Sequence, residues 1–272
     1  MYESYWQLES RPFDDTIDAR SYYPSEVHQA ALLKLRYAIE NQRGAALLCG
    51  ASGTGKTLIV NTLRRLLPDN CSPLVHVVFP TLTPREFVAY LADEVGAPKA
   101  ANKNALDEHL HRLQKFLVEN AAKGRQAVLA IDEAHLLLEG GLLDTVRLLL
   151  NFEVAGRPAW TLLLVGQPTL LPVVDRTPAF EDRLAVKCLL RPLNVDETIS
   201  YVNHRLTAAG AKREIFTHDA IVTLHQITGG YPRRINRVCD LALLIGFAEE
   251  LRTLSASHIE AVAGELISVT PD

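Results

Sequence analysis

The sequence predicts an α/β fold, a parallel sheet flanked by helices, followed by a smaller helical domain. Three observations predict it. Short apolar runs recur between amphipathic stretches: Ala45–Cys49, Leu74–Phe79, Ala127–Ile131, Thr161–Val165 and Ala185–Leu190. Runs that are apolar throughout suit strands buried on both faces, and such strands are parallel with helical crossovers. After Pro192 the pattern changes, and every later segment has helical periodicity with no strand among them.

The elements follow in order. Residues 1–24 are rich in aromatic and turn residues. Ser25 is an N-cap for a helix to about Asn41, with Ala30, Leu33, Tyr37 and Ala38 near one face. Helices are expected over Thr57–Leu67, Pro84–Val95, Ala105–Ala122 and Leu142–Leu150. Beyond Pro192 they are expected over Val195–Ala209, His218–Thr228, Pro232–Glu250 and Ser255–Ile267. This divides the chain into a nucleotide-binding α/β domain over 1–192 and a helical lid over 193–272.

Composition excludes several classes. Apolar residues make up 48% of 272, enough for a substantial core. The net charge of -4 gives no general basic surface for nucleic acid. Cys49, Cys71, Cys188 and Cys239 show no Cys-x-x-Cys pairing; three of them sit in apolar runs and read as buried free thiols, a usage that suits a reducing cytosol. No signal pattern opens the chain and no run approaches a bilayer span, so a soluble protein without an integral membrane segment is expected.

The run Gly50-Ala51-Ser52-Gly53-Thr54-Gly55-Lys56-Thr57 matches G-x-x-x-x-G-K-[ST], between an apolar strand and a helix. Its glycines let successive N–H groups turn toward phosphate oxygens, and the helix adds its positive end. Lys56 is expected on the β- and γ-phosphates of ATP, and the Thr57 hydroxyl on Mg²⁺. Asp132-Glu133 follows the third strand, where two adjacent carboxylates need a cation or polar partner. Asp132 is the expected Mg²⁺ ligand through water, and Glu133 the residue that polarises the attacking water. His135 is either a polar neighbour of this site or an ordinary loop histidine.

Three further residues extend the site. Gln167 ends the fourth strand in Val165-Gly166-Gln167-Pro168, within reach of the γ-phosphate or of its water. Arg183, in Phe180-Glu181-Asp182-Arg183-Leu184, lies at the rim and could enter a neighbouring subunit's site. Arg233 follows Gly229-Gly230-Tyr231-Pro232 in the first turn of a helix, a poor place for a cation unless an anion is near. Arg234 and Arg237 could form a basic strip beside it.

Together these motifs resemble the AAA+ ATPases, and more narrowly the general secretion pathway protein A type. The likeness runs over residues 5–265. It rests on Tyr22-Tyr23-Pro24-Ser25 with His28, Ile131-Asp132-Glu133-Ala134-His135, Leu164–Pro168 and Gly230-Tyr231-Pro232-Arg233-Arg234-Ile235-Asn236. It implies an AAA+ core under a helical lid, with Gln167 as sensor 1, Arg233 as sensor 2 and Arg183 as the arginine finger. Residues around Phe13, Tyr23 and His28 would line the adenine pocket. It further implies a homo-oligomer that hydrolyses ATP to work on a cell-envelope or secretion-system protein. The expected location is cytoplasmic, with peripheral association at the inner membrane. Secretion members commonly continue into a membrane helix and a peptidoglycan-binding part, which the matched residues do not include, so no direct cell-wall role is expected of them. Two alternatives stand beside this: a DNA-associated regulator like the TniB/TnsC transposition ATPases, and a nucleotide switch with little turnover.

Overall fold

The computed structural model describes residues 1–14, 22–98, 106–138 and 141–268. The chain forms two compact units. One takes Val27–Ser52 and Ile59–Leu190; the other takes Met1–Glu26, Gly53–Leu58 and the chain from Arg191 on.

The first unit is built on a five-stranded sheet. Its strands are β1 (Ala45–Gly50), β2 (Leu74–Val77), β3 (Ala127–Ile131), β6 (Trp160–Gly166) and β7 (Leu184–Leu190), in the order β2-β3-β6-β1-β7. All neighbours are parallel. Every residue of β1, β3 and β6 is buried, as their unbroken apolar character requires. The edge strands β2 and β7 carry more exposed residues. The one hydroxyl inside β6, on Thr161, donates to Arg43 O at 2.7 Å and so is not left unsatisfied.

Helix α2 (Glu26–Glu40) leads into β1, and α3 (Lys56–Leu66), α4 (Pro84–Glu94), α5 (Leu106–Ala122) and α6 (Leu142–Leu149) lie between later strands. Thr83 caps α4 with a capping box to Glu86. Ala105, expected to open α5, lies outside the described residues. From β1 the chain crosses to β2 at the far edge, and from β6 it passes over β1 to β7. The order of the sheet therefore reverses at β1, and in open α/β sheets ligands bind at the carboxyl end of such a switch point.

The second unit is helical. Helices α9 (Val195–Ala208), α10 (His218–Thr228), α11 (Pro232–Ala248) and α12 (Ala256–Ser268) pack around Val202, Leu224, Ile235, Leu243 and Ile259. An isolated parallel bridge joins Phe216 to Leu254, where no strand was expected.

The N-terminal segment departs from expectation. The sequence places it with the nucleotide-binding domain, whereas in the structure it forms part of the helical core. A short helix α1 (Glu3–Trp6) buries Trp6 completely, and Tyr2, Leu8 and Phe13 join the same cluster. Trp6 Nε1 donates to Leu243 O at 2.9 Å, and Tyr5 Oη donates to Leu251 O at 2.7 Å. Buried Arg205 of α9 donates to the carbonyls of Pro12 and Asp14. The physical reason is area. An indole buries about 150–250 Å², worth roughly 4–6 kcal/mol at ~25 cal/mol per Å².

Three smaller differences have local causes. In α2 the core face is Ala31, Leu32, Leu35, Ala38 and Ile39; Leu33 and Tyr37 are exposed, because the helix has two apolar stripes and the fuller one is buried. Strand β2 stops at Val77, and Val78 and Phe79 are exposed where β3 also ends. A hairpin of β4 (Glu153–Val154) and β5 (Arg157–Pro158) turns through Ala155 and Gly156 at φ 53° and 75°. Two short helices, α7 (Leu171–Asp175) and α8 (Pro178–Glu181), fill the approach to β7.

Candidate functional site

The carboxyl ends of the parallel strands collect the chemistry of the sheet unit. Gly50 ends β1, Asp132 follows β3, and Gln167 follows β6 between them. The register sets Cys49 level with Gly166 and Ile131 level with Leu164. The acid pair therefore lies two strands from the start of the phosphate loop, about 10 Å at the usual strand spacing.

At the end of β3, Asp132 is 3% exposed. Its Oδ1 accepts the Glu133 N–H at 2.9 Å, and its Oδ2 is 3.6 Å from His76 Nε2 on β2. Glu133 has φ 49°, a left-handed conformation that a residue with a Cβ adopts at a cost of about 1–2 kcal/mol. Its Oε2 lies 3.3 Å from His135 Nδ1. His135 stands in a 3₁₀ turn over Ala134–Leu138. His76 is the residue that the sequence reading missed. Its only signal was a polar residue on an otherwise apolar edge strand.

Gln167 has an extended backbone and opens the 3₁₀ turn Pro168–Leu170, accepting the Leu170 N–H at 3.0 Å. Its side-chain amide has no hydrogen bond to the described residues.

Arg183 lies at the opposite, amino end of the strands, just before β7. Its carbonyl accepts the Ala45 N–H at 3.1 Å, at the first residue of β1. From Ala45 to Gly50 is about 16 Å of extended chain, farther than an arginine side chain reaches. A cavity of about 420 Å³ beside it is lined by Arg43, Tyr37 and Asp182, among others.

The phosphate loop follows β1 directly. Gly53 and Gly55 have φ 81° and 92°, so both positions need glycine. Lys56 opens α3 and is 6% exposed, and Thr54 is fully buried. Arg64 and Arg65 in the last turn of α3 complement its dipole, but the first turn holds no acidic residue and opens with the cation Lys56. The positive end is thus left for an external anion.

In the helical unit, Arg233 starts α11 against this loop. Its N–H meets Gly53 O at 3.4 Å, and a Cβ on Gly53 would fall 2.9 Å from Arg233 Cβ. The Arg233 guanidinium has no hydrogen-bond or ion-pair partner among the described residues. Arg234 lies over the Tyr231 ring at 4.9 Å. No acidic residue occupies the first turn of α11.

The expected adenine-pocket residues divide between the two units. Phe13 is buried edge-on to Phe216 in the helical core. Tyr23 packs its ring against Tyr201 and His204, at 5.6 Å from each. His28 is buried on α2, in the sheet unit.

Comparison with known proteins extends these observations. The AAA domain profile matches residues 39–174. The chain is 34% identical, over 274 aligned positions, to General secretion pathway protein A of Aeromonas hydrophila. That alignment takes in 99% of this chain and 49% of the relative, so the chain spans about half that protein's length. Among solved structures, the fold is similar to Drosophila ORC bound to DNA (TM-score 0.70, 18% identity, 98% of this chain and 66% of that one). It is also similar to the Aeropyrum pernix ORC2 protein in its ADPNP-ADP complexes (0.72, 14%, 97% and 73%). The Thermotoga maritima RuvB Holliday junction branch migration motor is a third such fold (0.61, 16%, 93% and 73%). At these identities the structural likeness is one of fold. The phosphate loop, the acid pair after β3 and four of the five sheet strands fall within the matched span, and the chain belongs to the AAA domain family.

Proposed function

We propose that the chain binds ATP and hydrolyses it to ADP and phosphate, and that the cycle drives or switches assembly of a cell-envelope or secretion-type complex. The observation that carries the first part is the phosphate loop itself: two left-handed glycines, a buried lysine and a helix start without acidic side chains. The backbone N–H groups of Gly50–Thr57 and the Lys56 ammonium would hold the phosphates. Mg²⁺, held by Thr57 and Asp132, would neutralise charge on the phosphate oxygens; the buried Asp132 carboxylate, with an N–H on one oxygen, suits a hard cation. Glu133 would take a proton from the attacking water, and Gln167, with its amide unengaged, would orient that water or the γ-phosphate. Arg233, an unpaired cation against the loop, would read the presence of phosphate.

Arg183 cannot serve the loop of its own chain at about 16 Å along β1. Its proposed role is therefore in a neighbouring copy, which makes the working form a homo-oligomer. Tyr23 and His28 remain the proposed adenine contacts. The secretion-system partner rests on the 34% identity to General secretion pathway protein A. No helix among the described residues is long and apolar enough to cross a membrane, and the proposed location is the cytoplasm, with peripheral attachment at the inner membrane. A second reading, a DNA-bound assembly, draws on the exposed Arg234 and Arg237 of α11.

Two variants test the central proposal. Lys56→Ala should lose binding of a fluorescent ATP analogue, and retained affinity would reject the phosphate assignment. Glu133→Gln should bind and not turn over. A salt series with duplex DNA, with and without ATP, separates the two assembly readings; ATP-dependent filaments on DNA would favour the second.

A further inference from the structure

Among the described residues, five buried side-chain polar atoms have no hydrogen-bond partner, and two of them face each other. They are Glu133 Oε2 and His135 Nδ1, 3.3 Å apart. A buried polar atom left unsatisfied costs about 1–3 kcal/mol. Two such atoms opposed at this distance mark a hydrogen bond that small movements close, and catalytic hydrogen bonds are often long before substrate arrives.

The backbone around Glu133 is already fixed. Its N–H is held by Asp132 Oδ1 at 2.9 Å, and its carbonyl by the Leu136 N–H at 2.8 Å. Only side-chain torsions remain to aim the carboxylate. One oxygen is buried against His135, while the side chain as a whole is 45% exposed. His135 is itself seated by the end of β6. A Cβ on Gly166 would come within 3.2 Å of the His135 backbone N, so the absence of a side chain there lets the turn settle on the strand.

We propose that His135 is a positioning residue for Glu133. Its Nδ1–H donates to Oε2 and fixes that oxygen, leaving the other oxygen to accept the proton of the attacking water. This rests on the reading of Glu133 as the water-activating group.

The test uses the full chain. His135→Ala should lower kcat about ten- to hundredfold, the usual loss on removing an orienting partner, with unchanged affinity for a non-hydrolysable ATP analogue. His135→Asn places an amide N–H near the Nδ1 position and should recover most of the rate. A purely structural histidine would show equal losses in both variants, and that result overturns the proposal. A second readout is independent of turnover. In ¹⁵N-histidine NMR, His135 should carry its proton on Nδ1, and Glu133→Ala should shift that signal. A proton on Nε2 alone, or a signal indifferent to Glu133→Ala, also overturns it. If the wild type binds ATP without hydrolysing it, the hydrolytic reading fails, and the ring signal alone decides the His135–Glu133 bond.

Discussion

Arg233 begins its helix in contact with Gly53: the two backbones meet at 3.4 Å, with no room for a Cβ on the glycine. The left-handed φ of 81° excludes a side chain on a second, independent ground. Gly53→Ala should cost about 1–2 kcal/mol from the backbone alone, and displacement of Arg233 adds to it. Thermal unfolding and ATP-analogue binding should both deteriorate. A variant with wild-type melting and affinity would show that the loop relaxes without loss.

Arg183 sits at the amino end of the parallel strands and Glu133 at the carboxyl end, and a mixing experiment reads the consequence. Arg183→Ala should lose about a thousandfold or more in kcat while still binding nucleotide. Mixed with Glu133→Gln, also inactive, it should regain activity, because mixed assemblies contain sites with an intact glutamate and a neighbour's intact arginine. Normal activity of Arg183→Ala, or no recovery on mixing, removes Arg183 from the reaction.

Trp6 and Gly246 form a lock in the helical unit. A Cβ on Gly246 would lie 2.8 Å from Trp6 Cζ2 and 2.9 Å from Leu254 Cδ2. Alanine in a helix interior normally gains about 1 kcal/mol over glycine, whereas overpacking a core costs about 1–3 kcal/mol. The rigid indole cannot yield, so Gly246→Ala should be destabilising in urea titration. Trp6→Ala should cost about 3–5 kcal/mol. A neutral Trp6→Ala would mean that the N-terminal segment contributes little to this core.

The four cysteines are buried thiols. Burial raises the thiols of Cys71 and Cys188 above their ordinary range, and that of fully buried Cys239 well above it. A raised thiol is neutral at pH 7–8, so the thiolate that reacts is scarce. Native protein should therefore react slowly with Ellman's reagent and release four equivalents only in denaturant, with Cys239 among the last. Rapid native labelling of Cys239 would require local opening of α11.

The sheet was legible because its three central strands, β1, β3 and β6, are fully buried and almost wholly apolar, and short runs of that kind suit burial on both faces. The phosphate loop was legible because its glycines, lysine and threonine have fixed spacing. What failed was whatever depends on choosing between two partners. Ala30, Leu33 and Tyr37 form a plausible helical face, but the competing stripe through Leu32, Leu35 and Ile39 has more to bury. Trp6 and Phe13 announce a core without saying which one. His76 meets Asp132 only through the pairing of β2 with β3, a long-range register that local pattern does not reveal. The hairpin at Ala155-Gly156 escaped because its first turn residue is an alanine in a conformation usually left to glycine or asparagine.

The left-handed φ of Glu133 has a consequence for anyone who improves this protein by selection. Glycine or asparagine would sit there more comfortably, and a screen for heat resistance should be drawn to Glu133→Gly and Glu133→Asn. Both would erase the carboxylate. Survival of heating and survival of function would then select opposite residues at a single position, and thermostable clones recovered without an activity filter should be enriched in inert ones.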